Sequence, residues 1–334
     1  MSQASPPTVL VLGANGRFGL AAAQAFAAAG WRVLAHVRRD AAAGMPAAAE
    51  LVRAPLESLA EALAGRPPPS VVVHGINPVY TRWDEEALQA ARTAMDLAER
   101  LGGRFMLPGN VYNFGAAMPA LIDEQTPHRP STAKGRLRTE MEDELVRRAR
   151  AGRLRSTVVT AGDFFGSGTG SWLDEVIAKS VGQGKLVYPG ALDVMHAWAY
   201  LPDLARAFVA VASLGDLQAF ERFHFAGHAV TGGQFIAATE RAAASLGLLP
   251  QRSWRHGTMP WPLIRSLGVF VALWRELARM SYLWHVPHAL DGRKLAGRCP
   301  HLKATPLDVA LATSLRDLRL ATAQHSPASP TAAA

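Results

Sequence analysis

TVLVLGANGRFGLAAAQAFAAAGWRVLAHVRR, residues 8–39, holds the hydrophobic patterns that decide the fold. Thr8 to Leu12 is a short, largely apolar and β-branched run whose length suits a strand. An alanine-rich segment of strong helix formers follows, and Gly30 supplies its stop signal. Residues 32–37 then return to the strand pattern. Two strands joined through a helix make parallel neighbours in a βαβ unit.

The turn between the first strand and its helix carries Gly13, Gly16 and Gly19 at G-x-x-G-x-x-G spacing. Glycine there lets the backbone approach a pyrophosphate closely, and the free N–H groups of a helix N-terminus favour a bound anion. Gly13, Ala14, Asn15, Gly16, Arg17, Phe18 and Gly19 are therefore expected to bind a dinucleotide, with Gly75 and Asn77 meeting it at the end of a later strand. The end of the second strand selects the cofactor. A carboxylate there accepts from the ribose 2′-hydroxyl of NAD(H), whereas this chain has Val37, Arg38 and Arg39. Guanidinium groups bind a 2′-phosphate bidentately, and Arg17 adds a cation inside the turn. NADP(H) is the expected cofactor, with NAD(H) as the alternative.

Further strand patterns at 51–53, 71–74, 104–107, 157–160 and 222–225 alternate with helical ones. That alternation predicts an α/β fold, a Rossmann-type doubly wound parallel sheet with a smaller C-terminal substrate lobe. The dinucleotide domain is expected over 8–165 and 195–230, the substrate lobe over 166–194 and 231–323, and a disordered tail over 324–334.

The net charge of +8 does not by itself choose a partner. Only five of the 35 basic residues are lysines, and the arginines are scattered among acids without a nucleic-acid reading motif. No nucleic-acid partner is expected. The most apolar segment, residues 259–284, is interrupted by Arg265, Arg275 and Arg279, so it reads as a helix packed on the lobe and not as a membrane span. Trp261, Trp274 and Trp284 would also suit an interfacial or partner-binding helix. A single cysteine, Cys299, and an N-terminus without a signal pattern predict a cytoplasmic protein; a homodimer is left open.

GANGRFG, VVVHGIN (71–77), NVYNFG (110–115), VVTAGDFFG (158–166) and AYLPDLARA (199–207) resemble, in order and spacing, the extended short-chain dehydrogenase/reductase superfamily, also described as the NAD-dependent epimerase/dehydratase family. The resemblance spans about residues 8–230. It implies a Ser–Tyr–Lys set, with the Tyr and Lys in a P-x-x-x-Y-x-x-x-K-x-x-x-E segment. Alignment of RPSTAKGRLRTEME puts Pro130 on the Pro, Lys134 on the Tyr, Arg138 on the Lys and Glu142 on the Glu, while Pro108 takes the place of the Ser. All three catalytic positions are substituted. The segment also resembles that of the isoflavone-reductase and phenylcoumaran benzylic ether reductase group, atypical members that use a lysine and NADPH.

Lys134 is accordingly the candidate proton donor and acceptor, with Arg138 holding an oxyanion or the ribose and Tyr112 as a second candidate acid. The competing reading makes Lys134, Arg138 and Glu142 a charged surface ladder. Tyr80, Arg82, Trp83, Asp163 and Trp198 are expected to contact a small polar or aromatic substrate, and His196 is a weaker candidate base. No Cys/His cluster has metal-ligand spacing, so no metal is expected. The function expected is an NADPH-preferring oxidoreductase or epimerase-like enzyme. The alternatives are a non-catalytic NADP(H)-sensing regulator and a sugar-nucleotide epimerase or dehydratase.

Overall fold

In the computed structural model, which describes residues 5–325, the quoted stretch forms β1 (Thr8–Leu12), α1 (Arg17–Ala28) and β2 (Arg32–His36). Every residue of β1 is buried, as a strand covered on both faces requires. The chain continues through β3 (Glu50–Val52), α2 (Leu59–Ala62), β4 (Val71–His74), α3 (Trp83–Leu101) and β5 (Arg104–Asn110). Next come β6 (Leu121–Ile122), α4 (Ala133–Arg150), β7 (Ser156–Ala161) and β8 (Asp163–Phe165). After β9 (Lys185–Tyr188), β10 (Met195–Tyr200), α5 (Leu201–Ala212) and β11 (Phe220–His224) follow. The last part comprises β12 (His228–Thr231), α6 (Gly232–Ser245), β13 (Arg255–Thr258), α7 (Trp261–Leu267), α8 (Ala272–Arg279), β14 (Ala289–Leu290), α9 (Arg293–Arg298) and α10 (Leu307–His325).

Seven strands form one parallel sheet in the order β11-β7-β5-β4-β1-β2-β3. The order reverses between β1 and β4, whose partners include Val9 with Val71 and Leu12 with His74. Ligands of open α/β sheets bind at such a reversal, outside the carboxyl ends of the strands. One sheet face is covered by α1 and α5 through residues such as Phe26 and Phe208. The opposite face is covered by α3 and α4 through Met95 and Leu145. The Rossmann-type reading of the sequence therefore stands.

The remaining chain builds a second layer beside the carboxyl edge of this sheet. A three-stranded sheet, β12-β10-β8, packs Trp198 and Phe165 against Phe235 of α6 and against α10. Two parallel pairs, β9 with β13 and β6 with β14, complete it. Only Gly162 separates β7 from β8, and a Cβ at Gly162 would lie 2.1 Å from the Ala197 carbonyl oxygen. The chain thus leaves the main sheet through a point where no side chain fits.

Residues 259–284 differ from the single helix expected. They form α7 and α8 with a break at Gly268 to Val271, then a 3-10 turn over Ser281–Trp284. Among the described residues, no helix is long and apolar enough to cross a membrane. Of the tail expected over 324–334, residues 326–334 lie outside the described residues.

Candidate functional site

The Gly-rich turn is built from backbone in contact with backbone. Gly13 has φ +68°, and a Cβ there would lie 2.9 Å from the Gly75 carbonyl. A Cβ on Gly19 would fall 2.2 Å from the Gly13 oxygen, and one on Gly75 would fall 2.7 Å from the Leu12 oxygen. The first turn of α1 has no side-chain cap and no acidic residue, so its N–H groups and dipole are uncompensated by the chain. These features fit a pyrophosphate.

The other residues of the turn divide by direction. Ala14 and Phe18 are buried: Ala14 N–H donates to the His36 carbonyl at 3.0 Å, and Phe18 packs edge-on against Phe208 at 4.8 Å. Their side chains belong to the core, so only their backbone is left to meet a cofactor. Asn15 clamps the loop after β2: its side-chain N–H donates to the Asp40 carbonyl at 2.7 Å, and its oxygen accepts from Ala42 N–H at 2.9 Å. Arg17 turns from the turn towards the lobe, donating to the carbonyls of Gly166 (2.8 Å) and Gly170 (3.0 Å). Burial lowers its pKa, partly offset by Asp174.

Arg38 and Arg39 are exposed on the clamped loop. Arg53, at the end of β3, donates to the Asp40 carboxylate at 2.9 Å. The edge therefore presents three guanidinium groups against one carboxylate. Sequence reading missed Arg53, because only strand pairing brings β3 beside this loop.

The floor of the cleft lies at the ends of β4 and β5. Asn77 accepts from the Trp83 indole N–H at 2.9 Å, and Trp83 is buried beneath two cations. The Arg138 guanidinium carbon lies 4.8 Å from the centre of its ring and the Lys134 amine 5.6 Å. Trp83 thus supports the cations from within, which corrects its expected role as an open substrate contact. Arg138 donates to the Pro108 carbonyl at 3.1 Å, so the residue in the Lys position ties down the backbone at the Ser position. Burial lowers the pKa of Arg138. It also holds the buried His74 down to about 3, with the charge of Arg138 adding to the effect.

Lys134 follows the N-cap Thr132, whose hydroxyl accepts from Gly135 N–H at 3.1 Å. A cation in the first turn of a helix opposes the dipole. Two carboxylates compensate it, Asp84 at 3.5 Å and Glu276 at 3.2 Å, and the amine is buried. Glu276 comes from α8 and was invisible to sequence reasoning. Tyr112, half-buried, lies against α4, since a Cβ on Gly135 would fall 2.4 Å from the Tyr112 carbonyl oxygen. The surface-ladder reading fails at Glu142, which is 1% exposed, accepts from Asn113 at 2.6 Å and pairs with Arg222 at 2.6 Å. Its burial locks α4 to the 111–114 turn and to β11.

A second polar centre occupies the lobe. His196 Nε2 lies 2.9 Å from Asp163, its Nδ1 lies 3.2 Å from the Leu283 carbonyl, and its ring stacks on Trp284 at 4.4 Å. Each ring nitrogen of His196 thus has an oxygen partner, which fixes the ring between β8 and the 281–284 turn. Burial and Asp163 both raise the hydroxyl pKa values of Tyr188 and Tyr282. Burial, reinforced by His196, lowers that of His288 to about 4. Trp198, expected to meet substrate, is wholly buried and stacks on Phe235 at 4.2 Å, because β10 turns it into the lobe core. Arg82 is exposed and paired with Glu86. The Tyr80 side chain lies outside the described residues. Among the described residues, no three His, Cys, Asp or Glu side chains group as metal ligands.

The family model described as "NAD dependent epimerase/dehydratase family" matches residues 9–223. No curated protein sequence matches. Solved structures are similar over nearly the whole chain. MoeE5 in complex with UDP-glucose and NAD is 20% identical, with a TM-score of 0.70 over 94% of this chain and 99% of that one. UDP-glucose 4-epimerase from Thermotoga maritima is 14% identical, with a TM-score of 0.71 over 94% and 99%. The Bordetella bronchiseptica enzyme WbmH in complex with NAD+ is 16% identical, with a TM-score of 0.70 over 94% and 99%. At these identities the likeness is one of fold.

Proposed function

The chain belongs to the NAD-dependent epimerase/dehydratase family, and within it we propose an NADP(H)-dependent oxidoreductase acting on a small polar or aromatic substrate, with Lys134 as proton donor and acceptor. The observation that carries this reading is the buried Lys134 amine on the first turn of α4, at the position of the family's Tyr, beside Arg138 and Trp83. The nicotinamide ring, when bound, supplies or accepts the hydride. Lys134 holds the proton at the substrate oxygen, and Trp83 with the two lobes keeps water from the amine. Arg138, anchored on the Pro108 carbonyl, contributes positive charge where an oxyanion develops. Asn15 fixes the loop that presents Arg38 and Arg39 to the 2′-phosphate.

One observation favours a second reading, a non-catalytic NADP(H) sensor. Lys134 is engaged by Glu276 of the opposite lobe, so ligand entry that parts this pair changes the closure of the cleft. Sugar-nucleotide epimerisation, the activity named for some neighbours, is a weaker reading because Pro108 and Lys134 replace the Ser and Tyr.

Titration of NADPH and NADH against the wild type and an Arg38→Ala/Arg39→Ala variant, followed by turnover on a panel of carbonyls and enones, separates these readings. Loss of the charge-assisted hydrogen bonds is expected to weaken NADPH about 10- to 100-fold and leave NADH unchanged. Lys134→Met is expected to abolish turnover while the dinucleotide still binds. Equal affinity of the wild type for both cofactors defeats the NADP(H) assignment, and full turnover by Lys134→Met defeats the lysine's role. Tight binding that depends on redox state, without turnover, selects the sensor.

A further inference from the structure

The α7–α8 hairpin is built unlike the rest of the surface. Its tip exposes Val269 (71%) and Phe270 (85%), and Leu263, Leu267, Val271 and Leu273 stand exposed around them. Scattered apolar side chains on a protein surface need no explanation, but a contiguous set on one protruding turn marks a contact site. Directly beside the tip, a groove of about 330 Å³ between the two helices is lined by Arg265, Arg275 and Arg279 together with Gly268, Val269 and Ala278. Arg279 is pinned to Glu276 at 2.7 Å, whereas Arg275 and most of Arg265 face solvent. Glu276 is the only acidic residue between 259 and 283, and it is buried against Lys134. The outer face of the hairpin is therefore apolar at its tip and cationic at its collar, without an exposed carboxylate.

We propose that this hairpin docks on an anionic phospholipid bilayer, with Val269 and Phe270 entering the acyl boundary and Arg265 and Arg275 taking headgroup phosphates in the groove. Charge complementarity selects this occupant. A second copy seated face to face would bring the same arginine collars together without compensating acids, whereas a bilayer surface supplies both the anions and the apolar layer. The net charge of +8 adds long-range attraction to such a surface. The inner side of α8 reaches the cleft through Glu276, so docking sets the Lys134 end of the cleft beside the membrane.

The test floats the full-length chain with vesicles of phosphatidylcholine alone or mixed with phosphatidylglycerol, and follows tryptophan quenching by brominated lipid. Binding is expected to be at least about tenfold tighter to the phosphatidylglycerol vesicles and to weaken with salt. Val269→Asp/Phe270→Asp is expected to abolish flotation and quenching. Arg265→Glu/Arg275→Glu is expected to remove the preference for the anionic lipid. Unchanged dinucleotide titrations show that both variants fold. The proposal is overturned by absence of flotation with phosphatidylglycerol, by flotation that both variants retain, or by self-association that depends on Phe270 in place of lipid binding. None of these outcomes bears on Lys134 or on cofactor choice, so the docking and the proposed chemistry fail separately.

Discussion

The amine of Lys134 and the carboxylate of Glu276 meet at 3.2 Å across the cleft, one carried by the Rossmann-type sheet's covering helix and the other by the C-terminal lobe. Both side chains are buried, and the pair is flanked by Asp84 on one side and Arg279 on the other. Removing one partner of a buried pair leaves a charge without compensation, which costs more than the pair contributes.

Lys134→Met and Glu276→Leu are therefore each expected to lower unfolding stability by about 3 kcal/mol, while Lys134→Met/Glu276→Leu recovers at least half of the summed loss. Urea unfolding of the three variants checks the coupling. Strictly additive losses would mean that the two groups do not act as a pair.

Gly19→Ala should separate the cradle from the rest of the fold. The new Cβ would lie 2.2 Å from the Gly13 oxygen, a distance that no small adjustment relieves, and Gly13 already holds φ +68° against Gly75. The turn has to open. Dinucleotide affinity is expected to fall by about tenfold or more and stability by about 1–3 kcal/mol, the range of an overpacked buried site. Fluorescence titration and a melting curve read the two effects, and unaltered affinity would show that the tight turn does not shape the phosphate site.

The parts legible in the sequence were those set by local period. The β1–α1–β2 unit and the strand 71–74 follow from residues close in the chain. The lobe was far less legible. Strands β8 and β12 are short, and whether Trp198 faces a ligand or Phe235 depends on which side of β10 the core lies. Likewise Lys134 stood out by its position, whereas its electrostatic surroundings come from Asp84 and Glu276, 50 and 142 residues away. Long-range pairing of that kind leaves no periodic trace. The break at Gly268 turns an apparent single helix into a hairpin, and one glycine inside an apolar run does not tell a helix end from a helix interior.

Buried histidines give the fold an acid limit. His74, beside Phe105 and Arg138, takes up a proton only near pH 3, and His288, beside His196 and Asp163, only near pH 4, in each case chiefly because burial disfavours the imidazolium. In the unfolded chain both protonate near pH 6.5. Below that value the unfolded state binds more protons than the native one, so stability falls as pH falls, by about 1.4 kcal/mol per pH unit for each group until its native pKa is reached. His36, His128, His224 and His228 shift in the same direction and steepen the loss. Stability is expected to be level above pH 7 and to drop steeply between pH 6 and 4. His74→Gln and His288→Gln should each flatten the slope in that interval, whatever they cost at pH 7. Urea midpoints measured across this range decide the matter: a wild-type profile that stays level to pH 4.5 would show that these imidazoles reach solvent protons without unfolding.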